Sequence, residues 1–144
     1  MRGVALDGRR YDASDPAAKP LVSHLFSREL SRPGQTARLA TEAGAALVEA
    51  GYNAQVTPGA DAVALFDLTS GRRPLRWTDG GFQIDGTRLS PEDAVRSAER
   101  SPERFSPNVL LRPIVQDSLF PSICYVAGPN ELAYLGQLKQ IYAA

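Results

Sequence analysis

Between Ser106 and Asp117 the chain reads Ser-Pro-Asn-Val-Leu-Leu-Arg-Pro-Ile-Val-Gln-Asp, and from Gly128 to Glu131 it reads Gly-Pro-Asn-Glu. Asn108, Arg112, Gln116, Asp117 and Glu131 are thereby threaded among Leu, Ile and Val. Polar groups beside that much apolar surface must be paired or must face a ligand. Arg112 carries a planar guanidinium fork suited to a carboxylate or a phosphate. If Arg112–Leu119 is helical, Gln116 lies one turn on and shares its face. The competing reading is an internal pair between Arg112 and Asp117 that anchors the helix. Glu131, at the start of a following helix, can hydrogen-bond an amine or hydroxyl, or simply complement the helix dipole.

Other chemistries are not encoded. There is no Gly-x-x-x-x-Gly-Lys loop, no Gly-x-Gly-x-x-Gly and no His-Glu-x-x-His. One His and one Cys cannot build a usual zinc site, and His24, alone on a helix, reads as a surface or capping residue. Cys124 excludes an internal disulfide. Its apolar setting, Ile123 to Val126, predicts a buried, inert thiol. Sixteen basic residues balance sixteen acidic ones, so no net field recruits nucleic acid or an anionic membrane. Hydrophobic content of 43% with 22% charged residues describes an ordinary globular chain. No apolar run approaches the ~20 residues of a membrane helix, and a reducing cytoplasm fits.

The elements that must position these residues follow from local signals. Gly3 to Tyr11 reads as a hairpin turned at Asp7-Gly8. Asp15-Pro16 opens a helix that stops near Arg32-Pro33. A second helix from Gln35 to Ala50 presents Ala37, Ala40, Gly44 and Leu47 on one face, and Gly51 caps it. Short strands are predicted at 52–56, 63–68, 75–77, 82–84 and 87–89, separated by turn chemistry, as an antiparallel meander. Ser90-Pro91 opens a helix. Ser106-Pro107 is expected to cap a short helical turn. Arg112–Leu119 is read as helix because Pro113 would break a central strand ladder. Residues 122–127, apolar without alternation, read as a strand buried on both faces of a parallel sheet. Asn130 then caps a helix with Tyr134, Leu138 and Ile141 on one face. Ligands in open α/β sheets bind beyond the carboxyl ends of strands, where Gly128–Glu131 falls.

The expected class is α/β. A strand–loop–helix piece of a Rossmann-like core lies at the C-terminal end, with a small antiparallel β insertion and flanking helices. The expected divisions are an N-terminal helical segment (1–51), a β-rich insertion with its following helix (52–105) and a truncated piece of the core (106–144).

The run from Ser106 to Asp117, with Pro121, Tyr125-Val126, Gly128-Pro129, Glu131, Ala133-Tyr134 and Gln137-Leu138, closely resembles the bacillithiol biosynthesis cysteine-adding enzymes, a family of cysteine ligases. A weaker likeness extends upstream through Ala50-Gly51-Tyr52, Gln55, Leu65-Phe66 and Arg72-Arg73. The resemblance implies a Rossmann-like core interrupted by insertions, and a coiled-coil arm that makes the full-length protein a homodimer. It implies a last biosynthetic step that joins cysteine to the amino group of glucosaminyl-malate. The motif positions carried over as substrate-binding are Asn108, Arg112, Gln116, Asp117, Gly128, Pro129, Glu131 and Tyr134, with catalytic residues unassigned and no metal. Acyl transfer to an amine needs an activated carboxyl, so ATP or another nucleotide is implied by analogy with Rossmann-type ligases. The family's N-terminal His-containing motifs, coiled coil and C-terminal continuation have no counterpart here, so a fragment inactive on its own is expected. The alternative is a non-catalytic α/β interaction or nucleotide-binding module, whose polar residues would pair internally in a closed core.

Overall fold

The computed structural model describes residues 2–4, 10–12, 14–122, 124 and 126–144. Strands β1 (Arg2–Val4) and β2 (Arg10–Asp12) pair antiparallel with Gly3 opposite Tyr11; the turn at Asp7-Gly8 lies outside the described residues.

Asp15 caps the next element as its sequence predicts, with Oδ1 accepting from the Ala17 N–H at 2.9 Å. That element is a 3-10 helix, Pro16–Val22, followed by α1 (Ser23–Ser31). Pro20 inside the first stretch has no N–H to donate, which favours the tighter turns before the α-helix proper. Helix α2 (Gln35–Glu49) buries Ala37, Ala40 and Gly44 of the face expected of it and leaves Leu47 half-buried.

Four consecutive strands form the predicted meander: β3 (Ala62–Asp67), β4 (Arg73–Thr78), β5 (Gly81–Ile84) and β6 (Thr87–Leu89). Two-residue turns join the last three. Asp79 and Gly80, and again Asp85 and Gly86, all have positive φ, the requirement of a type I′ turn and the reason for the Asp-Gly pairs. Helix α3 (Pro91–Arg100) starts at Ser90, whose Oγ accepts from the Asp93 N–H at 3.1 Å and donates to Asp93 Oδ2 at 2.8 Å. A short 3-10 turn, Pro102–Arg104, leads into β7 (Phe105–Pro107).

Strand β7 corrects the helical turn expected at Ser106-Pro107. It pairs antiparallel with β3, Ser106 opposite Phe66, giving a five-stranded sheet in the order β6-β5-β4-β3-β7. The expectation failed because β7 is an edge strand, where a proline costs no central ladder bond. Residues 52–56 are not a strand either. The Gln55 and Val56 N–H groups go to the side chain of Gln137, at 2.7 and 2.9 Å, so a side chain stands where a neighbouring strand would.

Helix α4 (Arg112–Leu119) forms as predicted. Of residues 122–127, those described form no strand. Val126 is 90% exposed, and Cys124 is exposed rather than buried. An apolar run becomes a parallel strand only beside a partner ladder, and the antiparallel sheet supplies none here. Helix α5 (Pro129–Gly136) begins two residues before the start that an Asn130 cap implies. Gly128 holds the cap position without a side-chain bond, because Pro129, lacking an N–H, suits the first helical turn. The chain then breaks at Gln137–Leu138 before α6 (Lys139–Ala143), so the single terminal helix read from sequence is two short ones.

The main core packs Val22, Phe26 and Leu30 against Val63, Leu65, Leu75 and Phe82 of the sheet, with Ala94, Ala98, Phe105, Leu111 and Val115 closing it. Trp77 and Phe82, directly opposite across β4 and β5, meet edge to face at 4.9 Å. A second, smaller core of Ala40, Leu110, Leu138 and Ile141 seats α6 on α2. These two cores fix α4 and the α5–α6 pair, the elements that carry the motif residues.

Candidate substrate-binding site

Helix α4 is anchored from within its own sequence. Asn108 Oδ1 accepts from the Leu110 N–H at 2.9 Å and the Leu111 N–H at 3.3 Å, and its carbonyl accepts from the Arg112 N–H at 2.9 Å. Leu110, Leu111 and Val115 are buried in the two cores, so the opposite face of α4 carries Arg112, Gln116 and Asp117 outward. Gln137 anchors α5 in turn. It is fully buried; besides accepting from Gln55 and Val56, its Nε2 donates to the Val56 carbonyl at 3.0 Å and the Ala40 carbonyl at 3.3 Å. Its own N–H bonds the Tyr134 carbonyl at 3.0 Å, which ties the last turn of α5 to this clamp.

Between the two helices lies a pocket of about 140 Å³, lined by Arg112, Pro113, Gln116, Asp117, Glu131, Tyr134, Leu135 and Tyr142. Five of the eight motif positions therefore converge. Asn108, Gly128 and Pro129 stand outside the lining: the first caps the approach to α4, and the other two start α5. Sequence reasoning missed Tyr142, which reaches the pocket from α6, and the clamp residue Gln137. The available signal was a glutamine on a helix whose other inward residues, Leu138 and Ile141, are apolar.

Asp117 Oδ2 accepts from the Tyr142 hydroxyl at 2.7 Å, and among the described residues Arg112 forms no ion pair with it. Arg112 is exposed, and among the described residues its guanidinium makes no hydrogen bond. The Tyr134 hydroxyl donates to Glu131 Oε1 at 3.3 Å. Burial raises the Tyr134 pKa, the Glu131 charge and that hydrogen bond raise it further, and the Arg112 charge opposes them. The phenol is thus neutral at physiological pH and acts as a donor. On the other side of Glu131 and Tyr134 an open groove of about 630 Å³ runs past Gln55, Val56, Thr57, Val109 and Asn130.

A model of a protein family described as "Bacillithiol biosynthesis BshC, N-terminal Rossmann-like domain" matches residues 10–144. The chain belongs to this BshC family. It is 39% identical over 132 residues to a protein of Salinibacter ruber named "Putative cysteine ligase BshC", covering 89% of this chain and 24% of that one. Proteins of the same name from Koribacter versatilis and Natranaerobius thermophilus are 33% and 38% identical over 91% of this chain, in each case a quarter of their own length. This BshC chain thus spans about a quarter of the curated relatives it matches.

The small pocket does not suit the nucleotide that ligase chemistry suggests. Its volume is well below the roughly 300–1,000 Å³ of sites for drug-sized ligands. Among the described residues Arg112 is the one cationic side chain in its lining, beside the carboxylates of Asp117 and Glu131. Among the described residues of this BshC chain no three His, Cys, Asp or Glu side chains gather as metal ligands, and no helix is long and apolar enough to cross a membrane.

Proposed function

We propose that this chain is part of a cysteine ligase that adds cysteine to glucosaminyl-malate in the last step of bacillithiol biosynthesis, and that the α4–α5 pocket belongs to its substrate site. The observation that carries the reading is the convergence of Arg112, Gln116, Asp117, Glu131 and Tyr134 on one open pocket. A closed α/β interaction module would spend Arg112 on an internal pair, as Gln137 and Glu29 are spent. Two depressions share the wall formed by Glu131 and Tyr134, which suits a reaction that joins a small molecule to a larger one. In this reading segment 106–144 carries the site. Segments 1–51 and 52–105 supply α2 and the 55–57 backbone against which it is clamped.

The test is a chimera in which residues 10–144 replace the matching quarter of the Salinibacter ruber relative, expressed in a bacillithiol-deficient strain that the parent relative restores. Restoration of the thiol by the chimera, and its loss with Arg112→Gln, is the expected result. A chimera that restores the thiol equally well with Arg112→Gln and Glu131→Gln removes the pocket from the substrate site.

A further inference from the structure

We infer that Gln137 is a positioning residue: it sets the spacing between the two walls of the groove beside α5. The inference rests on the substrate-site reading and deepens it by naming a residue that acts on a ligand only through others. Gln137 is fully buried and lines neither depression. One wall of the groove is Gln55, Val56 and Thr57, and the other is Asn130, Glu131 and Tyr134 of α5. Residues 53–58 belong to no helix or strand. Among the described residues, their backbone hydrogen bonds are the three made by the Gln137 amide, which accepts from the Gln55 and Val56 N–H groups and donates to the Val56 carbonyl. A glutamine amide carries both an acceptor oxygen and donor hydrogens, so one side chain serves both polarities of an extended backbone. The Val56 side chain also packs on the second core, whereas Gln55 and Thr57 are exposed. The opposite wall meets the same residue through its main chain, where the Gln137 N–H bonds the Tyr134 carbonyl at 3.0 Å and closes α5.

A second observation points to the same contact. A Cβ on Gly44 of α2 would stand 2.9 Å from Gln137 Nε2 and 3.2 Å from Ala54 Cβ, so the bare glycine lets the amide and the segment seat together on α2. The Nε2 bond to the Ala40 carbonyl, at 3.3 Å, refers the clamp to that same helix. Loss of the side chain releases the 55–57 wall alone. The N–H of residue 137 stays on Tyr134, and Leu138 and Ile141 still seat α6 on α2, so α5 and the α4–α5 pocket keep their place. An occupant of the groove must then order the loosened wall as it binds, which costs affinity rather than rate.

Two measurements test the inference. Spin labels at Thr57→Cys and Asn130→Cys, one on each wall, report the spacing in a Cys124→Ser background that removes the native thiol. One narrow distance distribution is expected with Gln137, a broader one with Gln137→Met and a shifted mean with Gly44→Ala, each with an unchanged circular dichroism spectrum. In the chimera, thiol formation is followed in lysates over ranges of cysteine and glucosaminyl-malate concentration. Gln137→Met is expected to raise the half-saturating concentration of one substrate about tenfold, leaving the other and the maximal rate per folded protein within about threefold. Gly44→Ala is expected to shift the same substrate less, and it carries both measurements if Gln137→Met does not fold. A purely structural Gln137 would reduce only the amount of folded enzyme, and unchanged half-saturation for both substrates overturns the inference. So does an equal rise for both, or a label spacing that neither variant alters. An active chimera with an unaltered spacing sinks the inference and leaves the ligase reading. An inert wild-type chimera whose spacing is released by Gln137→Met does the reverse.

Discussion

Gln137 and Arg112 both interrupt apolar stretches, and the fold treats them in opposite ways. Gln137 is wholly buried and bonds four backbone groups drawn from α2 and the 55–56 segment. Arg112 is exposed at the mouth of a pocket, with no hydrogen bond to its guanidinium among the described residues. Burial also separates Glu29 from Glu131. Glu29 is buried between α1, α2 and β3, with Oε2 accepting from Thr36 at 2.5 Å and Oε1 from the Ala64 N–H at 2.8 Å. Glu131 is half-buried on the pocket wall. Complete internal satisfaction marks a residue that builds the scaffold. A charge left facing space marks one available to a ligand, because the fold gains little from it.

The comparison is most easily broken at Gln137. Gln137→Leu leaves the Gln55 and Val56 N–H groups without their acceptor, and at about 1–3 kcal/mol per orphaned group a loss of roughly 2–6 kcal/mol is expected in urea unfolding. An unfolding midpoint equal to that of the wild type would show that the clamp contributes nothing.

A smaller effect, dependent on pH, is expected at Glu29. Burial raises its carboxyl pKa, and the hydrogen bonds from Thr36 and Ala64 only partly offset this. The folded pKa therefore exceeds the unfolded one. The protonated form's contribution is complete below the unfolded glutamate range and is lost as pH rises through the folded value. Melting temperatures of wild type and Glu29→Gln, followed upward from pH 4, should diverge, with the wild type falling relative to the variant. Parallel curves would contradict the burial argument.

Gly44 sharpens the contrast further. A Cβ there would stand 2.9 Å from Gln137 Nε2 and 3.2 Å from Ala54 Cβ. Gly44→Ala gains up to about 1 kcal/mol of helix propensity but overpacks a clamped side chain at roughly 1–3 kcal/mol, so a net loss of about 1 kcal/mol is expected. In a Gln137→Ala background the same substitution should become stabilising, and a double-mutant cycle reads the change of sign. Arg112→Gln stands at the other extreme. A surface substitution of this kind shifts stability by no more than about 0.5 kcal/mol, while ligand binding is lost. A large drop in melting temperature would move Arg112 from the ligand side of the comparison to the scaffold side.

Local signals read correctly at several element starts and turns. Asp15 and Ser90 cap their elements, the Asp79-Gly80 and Asp85-Gly86 pairs make I′ turns, and α4 starts at Arg112-Pro113. Most of the readings that failed depend on a partner distant in sequence; the cap expected at Asn130 and the single terminal helix failed locally. Residues 52–56 have strand-like composition, yet the Gln55 and Val56 N–H groups find Gln137 some eighty residues later. Ser106-Pro107 looks like a helix start, yet the free edge of β3 recruits it. The apolar run at 122–127 looks like a buried strand, yet no ladder meets its described residues.

The amino-acid sequence alone determined most of the helices, the meander, the polar motif and the family to which the motif belongs, because caps, turns and periodicity act over a few residues. Only the tertiary structure decided which polar residues are consumed as scaffold and which face a ligand. Asn108 and Arg112 lie four positions apart in one motif, and nothing local tells them apart. The backbone N–H groups of Leu110 and Leu111 take the first. The packing of α4 against α5 and α6 leaves the second at the mouth of a pocket. Burial is a property of the assembled layers, and burial decides what a polar group is for.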